Sequence, residues 1–388
     1  MSVNPLPRER PVVFVARRDL GFAKGRFALM GTVIVLITVL VGLLSGLTAG
    51  LGRQNVSAIT GLPADRLVFS APADGQKLSF TDSQVTPRQW DGWAAVPGVR
   101  SAEPLGISTA KAAAGTRTAA LSAFGVPAGS ALAPSGDLLA PGRVVLSATA
   151  AEDLDVRAGS TLTLAGRQLT VAAVSGDAAF SHLPVVWTSL ADWQLVAPPA
   201  TATAPATGSD SGSGSGSGSG EHATVIALSL SSAGGLADAD RQFATEALTP
   251  DDSLAAIGSY TSENGSLQLM RGFLFAISAL VVGAFFTVWT IQRSGDVAVL
   301  KALGASTGYL LRDALGQAVL LLVVGTAVGT AIAVGVGAAV GSAVPFVLDP
   351  PTVLVPAAVM TGLGALGAGL SIRRITSVDP LTALGSAR

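Results

Sequence analysis

Four stretches of this chain are apolar, free of Asp, Glu, Lys and Arg, and long enough to cross a bilayer. They run from Phe27 to Gly52, Gly272 to Gln292, Ala314 to Leu348 and Pro350 to Ile372. A hydrocarbon core about 30 Å thick takes roughly 20 apolar residues in helical form, so four spanning helices are predicted. The third stretch is too long for one straight span. Pro345, Pro350 and Pro351 surround a lone Asp349 at its end, and proline stops and restarts helices. The spans are therefore placed at 27–52, 272–292, 314–343 and 352–372, with an outer turn at 344–351. Only 13% of the residues are charged, against about 25% in an average soluble domain, so the chain cannot be soluble throughout. The first stretch exceeds the roughly 7–15 residues of a secretory signal core and is read as a retained anchor.

The rest of the composition removes whole classes of function. With no cysteine there are no disulfides, thiolate metal sites or cysteine nucleophiles. Two histidines and a net charge of −1 supply neither a histidine-built metal centre nor a field for nucleic acid. His182 and His222 read as solvated or packed side chains. No Gly-x4-Gly-Lys-Ser/Thr sequence occurs, so this chain does not itself cradle nucleotide phosphates. No ionisable residue falls within a predicted span, which argues against an ion or proton route.

Orientation follows from the basic residues. With the N-terminus inside, the inner pieces are 1–26, 293–313 and 373–388, and they hold 12 of the 24 Lys and Arg with five acids. The longer remainder holds the other 12 with 20 acids, so both termini are expected in the cytoplasm. The fold class is then an α-helical membrane protein with a large mixed α/β extracytoplasmic domain at 53–271, inserted between the first two spans.

Within that domain, Arg66–Ser70, Arg117–Phe124, Arg143–Leu146, Thr161–Leu164, Gln168–Val174 and Val185–Trp187 read as short strands. Helices are expected at Pro87–Ala95, capped by Thr86, at Ala148–Leu154 and at Ala237–Leu248. Residues 197–220 are a Pro/Ala/Thr stretch followed by a Ser-Gly run, a flexible surface loop by composition, and the sequence leaves open whether it is natural.

The cytoplasmic connection after the second span carries the sharpest pattern. Val297, Leu300 and Leu303 recur at helical spacing while Asp296 and Lys301 stay polar, Gly304 closes the helix, and Ser306 or Thr307 caps the next. A short amphipathic helix results. It either lies on lipid headgroups or fits a groove on a cytoplasmic partner.

The run Asp296-Val-Ala-Val-Leu-Lys-Ala-Leu-Gly-Ala-Ser closely resembles the cytoplasmic loop of MacB/FtsX-type ABC transporter permeases. Arg143-Val-Val-Leu-Ser, Ala151-Glu-Asp-Leu-Asp-Val-Arg-Ala-Gly-Ser-Thr-Leu-Thr-Leu and Gln168-Leu-Thr-Val-Ala-Ala-Val are similar to the core of that family's outer domain. The tail Ser377-Val-Asp-Pro-Leu-Thr-Ala-Leu resembles the family's ending. The resemblance implies a homodimer in a bacterial plasma membrane, served by two copies of a separate ABC ATPase subunit that binds the ATP. This permease would hold no cofactor of its own and would not be an enzyme. Asp296, Val297, Leu300, Lys301, Leu303, Gly304 and Ala305 would couple it to the ATPase, and the outer lobe would be moved by mechanotransmission.

Phe285-Phe-Thr-Val-Trp-Thr-Ile-Gln-Arg and the loop after it look most like the permeases of Gram-positive haem exporters. The implied function is efflux of a hydrophobic or amphipathic substrate, with haem the leading choice. An FtsX-like signal transmitter acting on an extracellular partner and a lipoprotein or peptide exporter are the alternatives.

Arg53 and Arg271, at the outer ends of the first two spans, could meet substrate carboxylates, or could simply snorkel at the interface. Met270 joins them as a candidate, while Met30 and Met360 read as filler more than ligands. Gly42, Gly46 and Gly50 make a smooth stripe on the first span, suited to a dimer seam or to packing within one protomer. Leu43, Leu47 and Leu51 beside them would face lipid and a lipid-borne substrate. Gly325 with Gly329, and Gly337 with Gly341, suggest packing inside the protomer.

Overall fold

The computed structural model describes residues 24–197, 221–232, 234–292, 295, 299, 303–341 and 344–376. Two compact units divide the chain, one built from the part up to Gly50 and from Ser266 onward, the other from Leu51–Gly265.

Among the described residues, four helices are long and apolar enough to cross a membrane: α1 (Lys24–Thr60), α6 (Tyr260–Gln292), α7 (Thr307–Val340) and α8 (Pro350–Thr376). Each extends past its charge-free stretch, because a solvated Arg53 or Arg271 does not break a helix; charge marks the edge of the hydrocarbon, not the last hydrogen-bonded turn. Ser306 caps α7, its Oγ accepting from the Tyr309 N–H at 3.3 Å. Helix α8 restarts on Pro350 and carries Pro356 inside.

In the outer unit the strands are β1 (Arg66–Ser70), β2 (Val99–Ala114), β3 (Arg117–Val126), β4 (Arg143–Leu146), β5 (Thr161–Leu164), β6 (Arg167–Val174), β7 (Ala179–Phe180), β8 (Leu183–Ser189), β9 (Val225–Leu230) and β10 (Thr245–Leu248). The longer helices are α2 (Pro87–Ala94), α3 (Ala148–Leu154), α4 (Leu190–Val196) and α5 (Leu236–Phe243), with single helical turns at Gly136–Leu138, Pro250–Ser253 and Leu254–Ala256.

Strand β2 organises the unit because its two halves serve two sheets. Val99–Leu105 pairs with β9 in a four-stranded sheet ordered β10-β1-β9-β2. Gly106–Ala114 pairs with β3, and the path β2-β3-β8-β4-β6-β5 returns to β2 through Ala112 and Ala113, closing a six-stranded barrel. Closure removes exposed strand edges. Pairs β3–β8 and β4–β6 are parallel, the other ladders antiparallel.

One core combines Phe69, Phe80, Phe124, Phe180 and Trp187, whose rings meet edge to face at centroid distances of 4.8 to 5.6 Å. A second, with Leu121, Leu146, Leu162, Leu164 and Trp193, is closed by α3 and α4. Trp193 packs on Gly106 and Gly125, where an added Cβ would meet its ring at 2.3 Å and its own Cβ at 2.3 Å, respectively.

Local signals behave as expected at α2, where Pro87 opens the helix and the Gln89 side-chain oxygen accepts the Thr86 N–H at 2.9 Å. They fail in two places. The expected helix Ala237–Leu248 stops at Phe243, turns at Ala244 with φ +51°, and continues as β10. Asp240 forces the turn by accepting from the Thr245 hydroxyl and the Ala247 N–H, and β1 offers an open edge to pair. Strands β2 and β9 were not anticipated: β2 is Ala- and Ser-rich with few β-branched residues, and its extended form comes from the neighbours it pairs with on both sides. The 197–220 loop expected from composition lies, from residue 198 on, outside the described residues.

Candidate functional site

In the helical unit, Met30 and Ile34 of α1, Val282, Phe286 and Trp289 of α6, Ala318 and Leu322 of α7 and Ala368 of α8 form one buried cluster. Small residues set the approach of these helices. A Cβ on Gly325 would come within 2.8 Å of Ile34, one on Gly329 within 2.7 Å of Thr38, and one on Gly364 within 2.5 Å of Leu322. Close backbone approach of this kind is how apolar helices associate where burial from water gives no drive.

The stripe Gly42, Gly46 and Gly50 is occupied within the chain. Gly42 abuts Ala333 of α7, and Gly46 takes the Phe346 ring, as does Gly337 from the other side. A Cβ on Gly50 would lie 1.7 Å from the Pro345 carbonyl oxygen. The Val347 N–H donates to the Gly46 carbonyl at 3.2 Å, so the α7–α8 connection is strapped into the groove of α1.

Beside this strap lies an apolar crevice of about 360 Å³, open mouth included, whose walls include Val41, Val334, Phe346, Val347, Pro356 and Met360. Thr38 also lines it, with its hydroxyl donated to the Ile34 carbonyl at 2.8 Å. The crevice therefore offers contact to hydrocarbon and little to charge. Neither Leu43, Leu47, Met270 nor Arg271 lines it.

Leu43, Leu47 and Leu51 are half-buried, Met270 is half-exposed and Arg53 is exposed. The guanidinium of Arg271 sits 5.8 Å from the centre of the Phe275 ring one turn on, a cation–π contact that holds the head near apolar surface. Met30 and Met360 are buried in packing, Met360 against the crevice.

On the opposite connection, Asp296, Val297, Leu300 and Lys301 lie outside the described residues. The Leu303 N–H donates to the Val299 carbonyl at 3.0 Å, and Gly304, with φ +94°, ends the helical turn. Leu303 is 79% exposed and Ala305 half-buried.

Sequence reasoning missed a cluster in the outer unit. The β7–β8 hairpin turns through Ser181 and His182 with φ +50° and +64°, the left-handed pair of a tight two-residue hairpin. Its tip grips α1: the Ser181 N–H donates to the Asn55 carbonyl at 2.9 Å, the His182 N–H to the Gln54 carbonyl at 3.1 Å, and Ser57 exchanges bonds with both backbone groups of Ala179. Glu263, in the polar first turns of α6 that precede the apolar stretch, joins from the other side. Its Oε2 lies 2.8 Å from His182 Nε2 and accepts from Asn55 Nδ2 at 2.9 Å. The His182 hydrogen bond, helped by Ser259, holds the Glu263 carboxyl below its ordinary range. His222, by contrast, is packed on Trp193. Among the described residues no group of three His, Cys, Asp or Glu side chains could hold a metal ion.

A MacB-like periplasmic core domain model matches residues 27–242, and an FtsX-like permease C-terminal model matches 269–380. A Staphylococcus haemolyticus protein named "Putative hemin transport system permease protein HrtB" is 24% identical over 96% of this chain and 99% of its own length. Its Staphylococcus epidermidis counterpart is 31% identical over 35% of this chain and 39% of its own length. An uncharacterized ABC transporter permease of Mycobacterium tuberculosis is 25% identical over 96% of this chain and 99% of its own. Among solved structures, the extracellular domain of the ABC-type transporter YknZ is 13% identical, covers 47% of this chain and 98% of its own, and superposes with a TM-score of 0.33. With four spanning helices, an extracellular α/β domain between the first two, and family models matching both parts, the chain belongs to the MacB/FtsX-type ABC transporter permeases.

Proposed function

We propose that this chain is the permease of an ATP-driven efflux transporter that draws a hydrophobic or amphipathic molecule, with haem as the leading substrate, from the membrane and expels it. The observation that carries the reading is the match to a hemin-transport permease over nearly the full length of both chains. A helical unit without ionisable side chains in its apolar stretches, with an apolar crevice among its helices, suits such a cargo better than an ion.

The working unit in this reading is a homodimer with both termini in the cytoplasm, each copy bound to one ABC ATPase subunit that supplies the ATP. The segment Asp296 to Ala305 docks that subunit, and the exposure of Leu303 supports this. Arg53 and Arg271 are the proposed contacts for the propionates of haem, and Leu43, Leu47, Leu51 and Met270 the proposed apolar contacts.

The test is reconstitution with its partner ABC ATPase subunit, in lipid vesicles, with haem added. Stimulated ATP hydrolysis together with haem leaving the bilayer supports efflux. Unchanged hydrolysis with no binding of haem removes haem as the cargo, and the same result with other hydrophobic ligands removes the transport reading in favour of signalling to an extracellular partner.

A further inference from the structure

We infer that His182, Glu263 and Asn55 form a clasp that sets the spacing between the outer end of α1 and the start of α6, and that the clasp opens during the working cycle. Three chain segments remote in sequence meet here and are joined twice over. Among the described residues the hairpin tip is held to α1 through the backbone carbonyls of Gln54 and Asn55, and to α6 through the His182 ring on Glu263. Asn55 supplies the direct link from α1 to α6. The two attachments differ in kind. The bonds to α1 run through the backbone groups of Ser181 and His182, both in the left-handed region, and through Ser57 to the backbone of Ala179, whereas the bonds to Glu263 are two side-chain contacts on one carboxylate oxygen, with His182 and Glu263 37% and 40% exposed. Contacts to a part-exposed carboxylate are the ones that can be broken and remade at little net cost.

Asn55 adds a sign of a second state. It is 3% exposed, and its Oδ1 has no hydrogen-bond partner while Nδ2 is committed to Glu263. A buried acceptor left unmade is a cost of order 1–3 kcal/mol, and such costs gather where a protein must switch. The charged or polar groups that bear on Glu263 are His182 from the hairpin, Asn55 from α1 and Ser259 just ahead of α6, and of these His182 is the ionisable one. The role assigned to the clasp rests on the reading of the chain as an ATP-driven permease, since that supplies the motion it must release.

The chain has no native cysteine, so engineered pairs report cleanly. In the purified full chain with its ATPase, spin labels on Thr60→Cys and Ser262→Cys read the spacing of the two helix ends. One narrow distance is expected at neutral pH, a broadened one in His182→Ala, and the same broadening on acidification in the native sequence but not in Glu263→Gln. A His182→Cys/Glu263→Cys pair, oxidised, is expected to cut transport about tenfold and to recover on reduction. Unchanged distances in His182→Ala, or full transport by the cross-linked pair, would overturn the clasp. If the native protein moves no substrate at all, the efflux reading fails, and the distance measurements still decide the clasp by themselves.

Discussion

His182 Nε2 and Glu263 Oε2 stand 2.8 Å apart, although 81 positions separate them in sequence. The pairing predicts an acid-sensitive outer unit. Glu263 is held below its ordinary value, so it contributes stability above about pH 4.5 that is lost as the pH falls through its folded value. Asp240 acts with the opposite sign: burial raises it, so its contribution is lost as the pH rises through its folded value. Below about pH 4.5, where the Glu263 contribution is lost, the thermal midpoint of Glu263→Gln should fall less steeply with falling pH than that of the native sequence. An unchanged slope in the variant would place the acid sensitivity elsewhere.

The glycines of α1 are expected to divide sharply. Gly46→Val and Gly50→Ala push a side chain into the Phe346 ring and the Pro345 carbonyl and should cost about 1–3 kcal/mol, read as lower melting in detergent. Gly52→Ala meets nothing within 4 Å and should stabilise by up to about 1 kcal/mol. Equal effects at Gly50 and Gly52 would show that the strap is not seated in the groove.

The aromatic core of the outer unit predicts a second contrast. Phe124 is fully buried between Phe180 and Trp187, and Phe124→Ala should cost about 3–5 kcal/mol. Trp187 buries an indole N–H that has no partner, so Trp187→Phe removes an unmet donor and should cost far less than its lost area suggests. Denaturant midpoints of the two variants check this.

Docking of the ATPase should depend on the apolar face of the cytoplasmic segment. Leu303→Asp and Leu300→Asp are expected to abolish co-purification with the ATPase while leaving membrane insertion intact. Retained co-purification in both would remove the segment from the interface.

Arg53→Ala and Arg271→Ala together should weaken haem binding by about 1–3 kcal/mol without changing assembly, as loss of charge-assisted contacts does. A titration in detergent reads it, and unchanged affinity would leave these arginines as interfacial anchors, with Arg271 resting on Phe275.

Much of the architecture is legible residue by residue. Thr86 and Ser306 mark helix starts, Gly304 marks a stop, and Arg143–Leu146 and Thr161–Leu164 carry enough β-branched and alternating character to appear as strands. Strand β2 does not, since its Ala-Lys-Ala-Ala-Ala ending would suit a helix and is held extended by β3 and β5. The glycine stripe was visible as smooth surface. What fills it was not, because Phe346 reaches Gly46 through a turn that no periodicity describes.

Sequence alone determined the four spans, the outer lobe between the first two and the caps at Thr86 and Ser306, because hydrocarbon thickness and capping act on consecutive residues. Tertiary structure decided the barrel closure through β2, the strap on Gly46 and Gly50, and the meeting of Asn55 with Glu263 across 208 positions. Those depend on which surfaces the chain brings together in space, where a gap left by one missing Cβ or a single side-chain donor selects the partner.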